Sequence, residues 1–588
     1  VRKDSLIKGT IVLAAAALTA RALGLFQRVP LDYVLDRVGG SAFGLANNLY
    51  LLLLVVATAG VPSALSKMVS ERLEWGREEE AARIYRAALA FGLGAGIVMT
   101  AGLYIAAPWY ARLADVPEAA AAIRAIAPSL LLFPVIAMMR GYFQGHRLMT
   151  AGAVSQIAEQ VARVAVALAA AFALYAAGAG QEQIAAGAAF GTFAGSVAAF
   201  AVMLAWSRRL HGYKRKAGRA AAGGPSAGMA DADGMSAVST SGPPAGLGPS
   251  GVPAAAGAAA GGGPPVLVRK RDIYRALFGV SVPILLTAMT VQALYLIDAT
   301  TLIPLAKGAF GRETAQAWLD VLQIRAQSLA GIPPILAIAL SQSVIPVVAA
   351  AYASGDAERL RGQASLALRI ALFTGLPVVA AMATLSRAIT GLLFEDDAGS
   401  WIVGWLVASS LFQITMMTSN AILQGMDRVR AAMRHTLSGV ALKLVLSLAL
   451  TPFFGVGGLL AATTVCFVFV TVWNFAVIRR LAQVRPLGGR EGSFAAVAAV
   501  LVGIGAAAAW AMPLAVGGLG GKWPYLLTAL AGGSAVFLAY PLLLVVFRVI
   551  RPADLASYPR PLAMALAPFM RLSGERDGRR DKREAKQP

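Results

Sequence analysis

The sequence has one cysteine, Cys466, three histidines, and few charges, with Asp, Glu, Lys and Arg making up 14% of its 588 residues. A lone thiol in an apolar run excludes a disulfide framework, a cysteine-based zinc site and a redox pair. His146, His211 and His435 all stand beside polar loops and far apart, so no catalytic constellation can be assembled from them, and no catalytic residue is named. A glycine-rich nucleotide-binding loop is absent too, which removes nucleotide hydrolysis as a source of work. Negative charge is scarce: 30 acidic residues face 52 basic ones, for a net charge of +22.

What is present is apolar sequence. At 58% hydrophobic residues the chain is too apolar for an ordinary soluble surface. Runs long enough to cross a hydrocarbon layer of about 30 Å fall near 6–26, 44–66, 88–107, 125–144, 153–175 and 184–206. After a polar gap come 277–303, 325–349, 366–385, 401–422, 435–454 and 457–477, and then a further pair at 494–513 and 525–548. The expectation is an all-α polytopic membrane protein of about fourteen spans, with breaks at Pro128 and Pro134 and at Pro333 and Pro334. The first run has a basic flank but contains Arg21 and lacks a cleavage signature, so it reads as a retained span.

The cations lie in alternate loops. Lys67, Arg72, Arg77, Arg83 and Arg86, the stretch from Arg208 to Arg275, and Arg428, Arg430 and Arg434 are on one side. Asp32, Asp36, Asp115, Glu118, Glu182 and Glu395-Asp396-Asp397 are on the other. The positive-inside rule then places both termini in the cytoplasm, which requires an even number of spans. Topology and attraction to anionic lipid account for this charge, and nucleic-acid binding is not expected. Residues 211–268, rich in Ala, Gly, Pro and Ser, read as a disordered cytoplasmic linker whose basic ends stay near the membrane. The expected organisation is a six-helix bundle over 1–210, this linker, a second bundle over 269–480, an extra helix pair over 490–550 and a basic tail over 551–588.

The two bundles repeat one another at an offset of about 280 positions. Gln144-Gly145 followed by Ala151 aligns with Gln424-Gly425 followed by Ala431, Gly76 with Gly355, and Arg163 with Lys443. Homologous halves in a bilayer imply alternating access around a site between them. The repeated Gln-Gly pairs read as elements of the cytoplasmic gate, with the glycines capping helices. Glu159, one turn before Arg163, is the expected partner of that arginine.

The motifs carry a family resemblance. Ser5-Leu6-Ile7-Lys8-Gly9-Thr10, Thr19-Ala20-Arg21-Ala22-Leu23-Gly24-Leu25-Phe26-Gln27-Arg28-Val29-Pro30, Ala59-Gly60-Val61-Pro62-Ser63-Ala64-Leu65-Ser66-Lys67 and Arg140-Gly141-Tyr142-Phe143-Gln144-Gly145 are among them. With the run from Ala153 to Val164, they resemble the stage V sporulation protein B branch of the MurJ-like lipid II flippases, in the multidrug/oligosaccharidyl-lipid/polysaccharide exporter superfamily. The resemblance implies a transporter, not an enzyme, that moves undecaprenyl-pyrophosphate-linked peptidoglycan precursor (lipid II) to the outer leaflet of a bacterial cytoplasmic membrane, in cell-wall synthesis or sporulation. Another polyprenyl-linked oligosaccharide, or a drug or cation as in the MATE-like exporters, is the alternative cargo. By similarity Arg21, Arg28 and Arg325 match cationic positions of the family and would contact the pyrophosphate, to which guanidinium groups bind bidentately. An arginine expected in the second span is replaced here by Leu51-Leu52-Leu53-Leu54. Asp298, deep in the seventh span, is the candidate for sodium or proton coupling. No other cofactor is implied. The expected partners are the lipid-linked glycan, membrane lipids and the cell-wall synthesis machinery, with the protein itself a monomer.

Overall fold

The computed structural model describes residues 19, 23–24, 26–58, 61–146, 148–222 and 282–550. Arg21, Arg147, most of the first predicted span, the basic tail 551–588 and residues 223–281, which include most of the predicted linker at 211–268, lie outside the described residues. A helical stretch at 26–32 leads into the N-terminal half. This comprises α1 (Arg37–Thr58), α2 (Val61–Glu74), α3 (Glu78–Leu113), α4 (Ala119–Ile126), α5 (Ser129–Gly145), α6 (Met149–Ala176) and α7 (Gln181–Ala222). Helix α7 continues past the predicted start of the linker. Lys214, Arg215, Lys216 and the alanines up to Ala222 are good helix formers, and the glycine-rich composition begins only after them.

The C-terminal half holds α8 (Thr290–Phe310), α9 (Arg312–Asp320), a π-helical turn (Val321–Ala326), α10 (Gln327–Ala330) and α11 (Pro334–Ala353). It continues through α12 (Ala357–Thr384), α13 (Ser386–Leu393), α14 (Ser400–Gly425), α15 (Val429–Phe454) and α16 (Val456–Ala482), and the extra pair follows as α17 (Glu491–Val516) and α18 (Trp523–Val546). Twelve helices among the described residues are long and apolar enough to cross a membrane. Two further predicted spans lie outside that count: the first, mostly undescribed, and 325–349, which the break at 331–333 divides between the end of the π turn with α10 and the 20-residue α11. Predicted proline breaks are present between α4 and α5 at Pro128 and between α10 and α11 at Pro333, whereas Pro134 lies inside the continuous helix α5.

The repeat is visible in the backbone. Gly76 and Gly355 both take positive φ, at 71° and 69°, in the turns that follow α2 and α11. Helices α5 and α14 end in the same hydrogen bond, Leu148 N–H to Phe143 O at 2.9 Å and Arg428 N–H to Leu423 O at 2.8 Å.

Packing of the halves against each other is one-ended. At the face carrying the acidic loops, a single hydrophobic core runs through both halves, from Leu31, Phe43, Ile123 and Phe133 to Leu302, Leu322, Ile402 and Leu459. Toward the basic face it divides. One cluster, around Leu65, Ile84, Met138 and Met203, belongs to the N-terminal half, and another, around Val348, Leu368, Leu423 and Ile478, to the C-terminal half. The extra pair is packed on the C-terminal half through a core of its own with Phe373 and Leu376 of α12, and Tyr540 donates its hydroxyl to Phe373 O at 2.9 Å.

Candidate functional site

The interface between the halves is built on α1 and the π turn, which stand at equivalent places in the repeat. Gly40 and Gly44, one turn apart on α1, leave room for the side chains of Asp320 and Gln323, and a β-carbon at either glycine would collide with them. The close approach therefore depends on glycine. A π turn inserts one extra residue into a helix and re-aims its side chains. Here it carries Arg325 into a buried position at the acidic face. Arg325 grips Asp32 with Nε to Oδ1 at 3.0 Å and Nη2 to Oδ2 at 3.1 Å, and its Nη1 binds the carboxylate of Asp396. Asp32 also accepts the Glu395 N–H at 3.2 Å. Burial by itself would push the Asp396 carboxyl up, but the bonds from Arg325 and the Ala398 N–H outweigh it and hold the group below its usual range.

Other contacts close the same face. Tyr110 and Thr300 share a hydrogen bond of 2.6 Å, Lys307 binds Asp115 at 2.7 Å, and Arg28 donates to the Gln323 carbonyl and to Ser328 Oγ at 2.9 Å. Lys522, from the loop between α17 and α18, binds Phe394 O at 2.6 Å and Leu392 O at 3.2 Å, and reaches the Tyr33 hydroxyl of the N-terminal half.

Of the three predicted phosphate-binding arginines, two are thus brought together in this closure. Arg28 is half-buried in a bond to the opposite half, Arg325 is neutralised by two carboxylates, and Arg21 lies outside the described residues. The acidic trio at 395–397 supplies a partner of that cluster through Asp396.

Asp298 is fully buried and paired with Lys443, whose ammonium also donates to Leu294 O at 3.3 Å. Among the described residues no group of His, Cys, Asp or Glu gathers as metal ligands. Thr415 and Thr418 of α14 bond their own helix at Leu411 O and Ile414 O, while Asn420 accepts from Asn474 at 2.8 Å.

The equivalent cation of the N-terminal half is held differently. Arg163 binds Glu159 at 2.9 Å and Tyr50 at 3.0 Å, and the other oxygen of Glu159 binds Arg140 at 2.9 Å. Two guanidiniums share one carboxylate, so this half keeps an excess positive charge. The repeat partner of Arg140 is Asn420, a polar residue within the apolar run 401–422, and it is buried.

Neither gate glycine caps its helix. Gly145 and Gly425 are the last helical residues, and positive φ falls on Asp427 instead, at 56°. They are glycine because backbone passes close by. A β-carbon on Gly145 would stand 2.9 Å from Ser66 O, on Gly425 3.0 Å from Ile345 O, and on Gly141 2.7 Å from Pro62 O. Gln144 and Gln424 beside them are half-buried. Gly141→Val should therefore cost about 1–3 kcal/mol by overpacking, read as a lower melting temperature of the purified protein. Gly94→Ala, at a helical position with open space around it, should leave that temperature unchanged or raise it.

A separate cavity of about 790 Å³ lies within the N-terminal half toward the basic face, between α3, α5 and α7. Leu89, Leu93, Val135, Met139 and Phe200 make its walls mainly apolar, with Arg86 also lining it, so it suits a hydrocarbon chain better than a charged group.

Residues 6–219 match the family described as polysaccharide biosynthesis protein, and residues 313–517 match the lipid II flippase MurJ family. The chain is 25% identical to the lipid II flippase MurJ of Bacillus subtilis (strain 168) over 491 residues, covering 81% of this chain and 83% of that one. It is 29% identical to stage V sporulation protein B of the same organism over 166 residues, covering 28% of this chain and 32% of the relative. A solved structure of the lipid II flippase MurJ superposes with a TM-score of 0.61 at 11% identity, covering 92% of this chain and 99% of that one, a likeness of fold. Two matched regions in two homologous membrane bundles, closed on each other at one face, make the chain similar to the MurJ-like lipid II flippases, which are transporters.

Proposed function

We propose that the protein carries undecaprenyl-pyrophosphate-linked peptidoglycan precursor, lipid II, from the cytoplasmic to the outer leaflet by alternating access. The observation that carries this is the divided core: the halves share one hydrophobic cluster at the acidic face and hold separate ones toward the basic face. With the basic face cytoplasmic, as the positive-inside rule assigns it, this is a state closed to the outside. A pyrophosphate arriving from the inner leaflet would meet Arg21 first and then Arg28. Arg325 would become available only when its bonds to Asp32 and Asp396 break, so it acts late, as the outer side opens.

Coupling through Asp298 belongs to the same reading. Lys443 already supplies a cation there, so sodium would have to displace an ammonium, and proton transfer within the pair is the form this geometry favours. The test is rescue of cells depleted of their own lipid II flippase, scored by accessibility of lipid II to an externally added cleaving enzyme. Restored accessibility, lost again in Arg21→Ala at normal membrane expression, is the expected result. Absence of rescue by the wild-type chain at normal expression would reject lipid II as the cargo.

A further inference from the structure

Beside the Arg325 cluster, the contact between α1 and the π turn contains buried side-chain polar atoms without a hydrogen-bond partner. Gln323 is 1% exposed, and neither its Nε2 nor its Oε1 has a hydrogen-bond partner. Gln327, four residues on, is 6% exposed with its Nε2 unpaired, and Asn48 on α1 is 2% exposed with its Nδ2 unpaired. All three stand on the two segments that meet at this contact. Gln323 lies against Gly44, Asn48 follows Gly44 by one helical turn on the same face, and Gln327 caps the C-terminal end of the π turn. Arg28 joins them by donating to the Gln323 carbonyl and to Ser328. A buried amide left unpaired is costly, and apolar residues of the same size would close this interface more firmly.

Resting on the reading above, we propose that Asn48, Gln323 and Gln327 form a site for the sugar part of the head group, which opens when α1 and the π turn separate. Carboxamides offer donors and acceptors without charge, the chemistry that matches sugar hydroxyls and N-acyl groups. Pyrophosphate is left to the arginines. The cargo's glycan would thus supply the hydrogen bonds that these side chains lack in the closed state. A ligand that binds only the parted arrangement shifts the halves toward it, so an empty carrier stays closed outside while a glycan-loaded one opens.

The test compares two lipids on the purified full chain: undecaprenyl pyrophosphate, and undecaprenyl pyrophosphate bearing the peptidoglycan disaccharide. The wild type should bind the glycan-bearing lipid at least tenfold more tightly. Gln323→Met should abolish that preference while leaving affinity for undecaprenyl pyrophosphate unchanged. Asn48→Leu should reduce the preference in the same direction and serves if Gln323→Met does not fold. With spin labels in the loops at 114–118 and at 311, the glycan-bearing lipid should lengthen the distance in the wild type but not in Gln323→Met. A Gln323→Met protein that keeps the full preference, or loses affinity for both lipids equally, would overturn the assignment and leave the amides a structural role served by water. A wild type that binds neither lipid would instead reject the proposed cargo class.

Discussion

Arg325→Ala opens the acidic face and lowers transport at least tenfold. The substitution leaves Asp32, whose side chain is 3% exposed, with the Glu395 N–H but no cation. Removing one member of a buried pair costs about 3–5 kcal/mol, because the remaining charge stays desolvated. A loss of that size can invert an equilibrium between a closed and an open face, since each 1.4 kcal/mol or so is a factor of ten. Asp396 is different: its side chain is 59% exposed, and Asp396→Ala should weaken closure by only about 0–1 kcal/mol. The measurement is a distance between spin labels on the loops at 114–118 and 311, read beside the lipid II accessibility assay. Asp32→Asn combined with Arg325→Gln should close the face better than either single change, since a double-mutant cycle recovers the shared term. An unchanged distance in Arg325→Ala would mean that the pair does not hold the face shut.

Asp298→Ala should fail at an earlier stage. Lys443 is 0% exposed, and without Asp298 its ammonium would keep only the Leu294 carbonyl. The expected cost is again about 3–5 kcal/mol, confined to the C-terminal half, and the readout is low yield and a depressed melting temperature. Asp298→Leu with Lys443→Met should restore folding, because an apolar pair of similar volume avoids the desolvation cost of both charges. Transport then decides the role of the pair. A folded double variant that cannot transport supports coupling through Asp298, and one that transports with wild-type dependence on the proton and sodium gradients makes the pair structural.

The membrane class, the repeat and the proline breaks were legible because each is written in local sequence. Apolar runs announce spans, and Gly76 and Gly355 announce the same turn in both halves. The offset of about 280 positions that relates Arg163 to Lys443 also identified two internal cations. Their partners were only half legible. Glu159 sits one turn from Arg163 on the same helix and could be read directly, whereas Lys443 takes its carboxylate from α8, 145 positions away. The repeat explains why. The position equivalent to Glu159 is Gly439, where a β-carbon would meet Val470 and Cys466, so α15 has no room for a carboxylate of its own. Arg325 was found as a cation but not as a clasp, because Asp32 and Asp396 come from opposite halves of the chain and the π turn that aims it leaves no periodic trace. The glycines of the Gln-Gly pairs were seen as repeated, yet helix ends and close crossings both select glycine, and only three dimensions separate the two causes.

The extra helix pair has its packed core on one half. Its core lies on α12, Tyr540 is tied to Phe373, and Lys522 is its hydrogen-bonded tie to the N-terminal half, through the Tyr33 hydroxyl. It is a passenger on the C-terminal half. In the proposed rocking motion, α17 and α18 would travel with the C-terminal half along the N-terminal one, and the bond at Tyr33 would break as they depart. Any lipid tail resting against the pair would be carried with it, keeping pace with the head group through the cycle without a motor of its own.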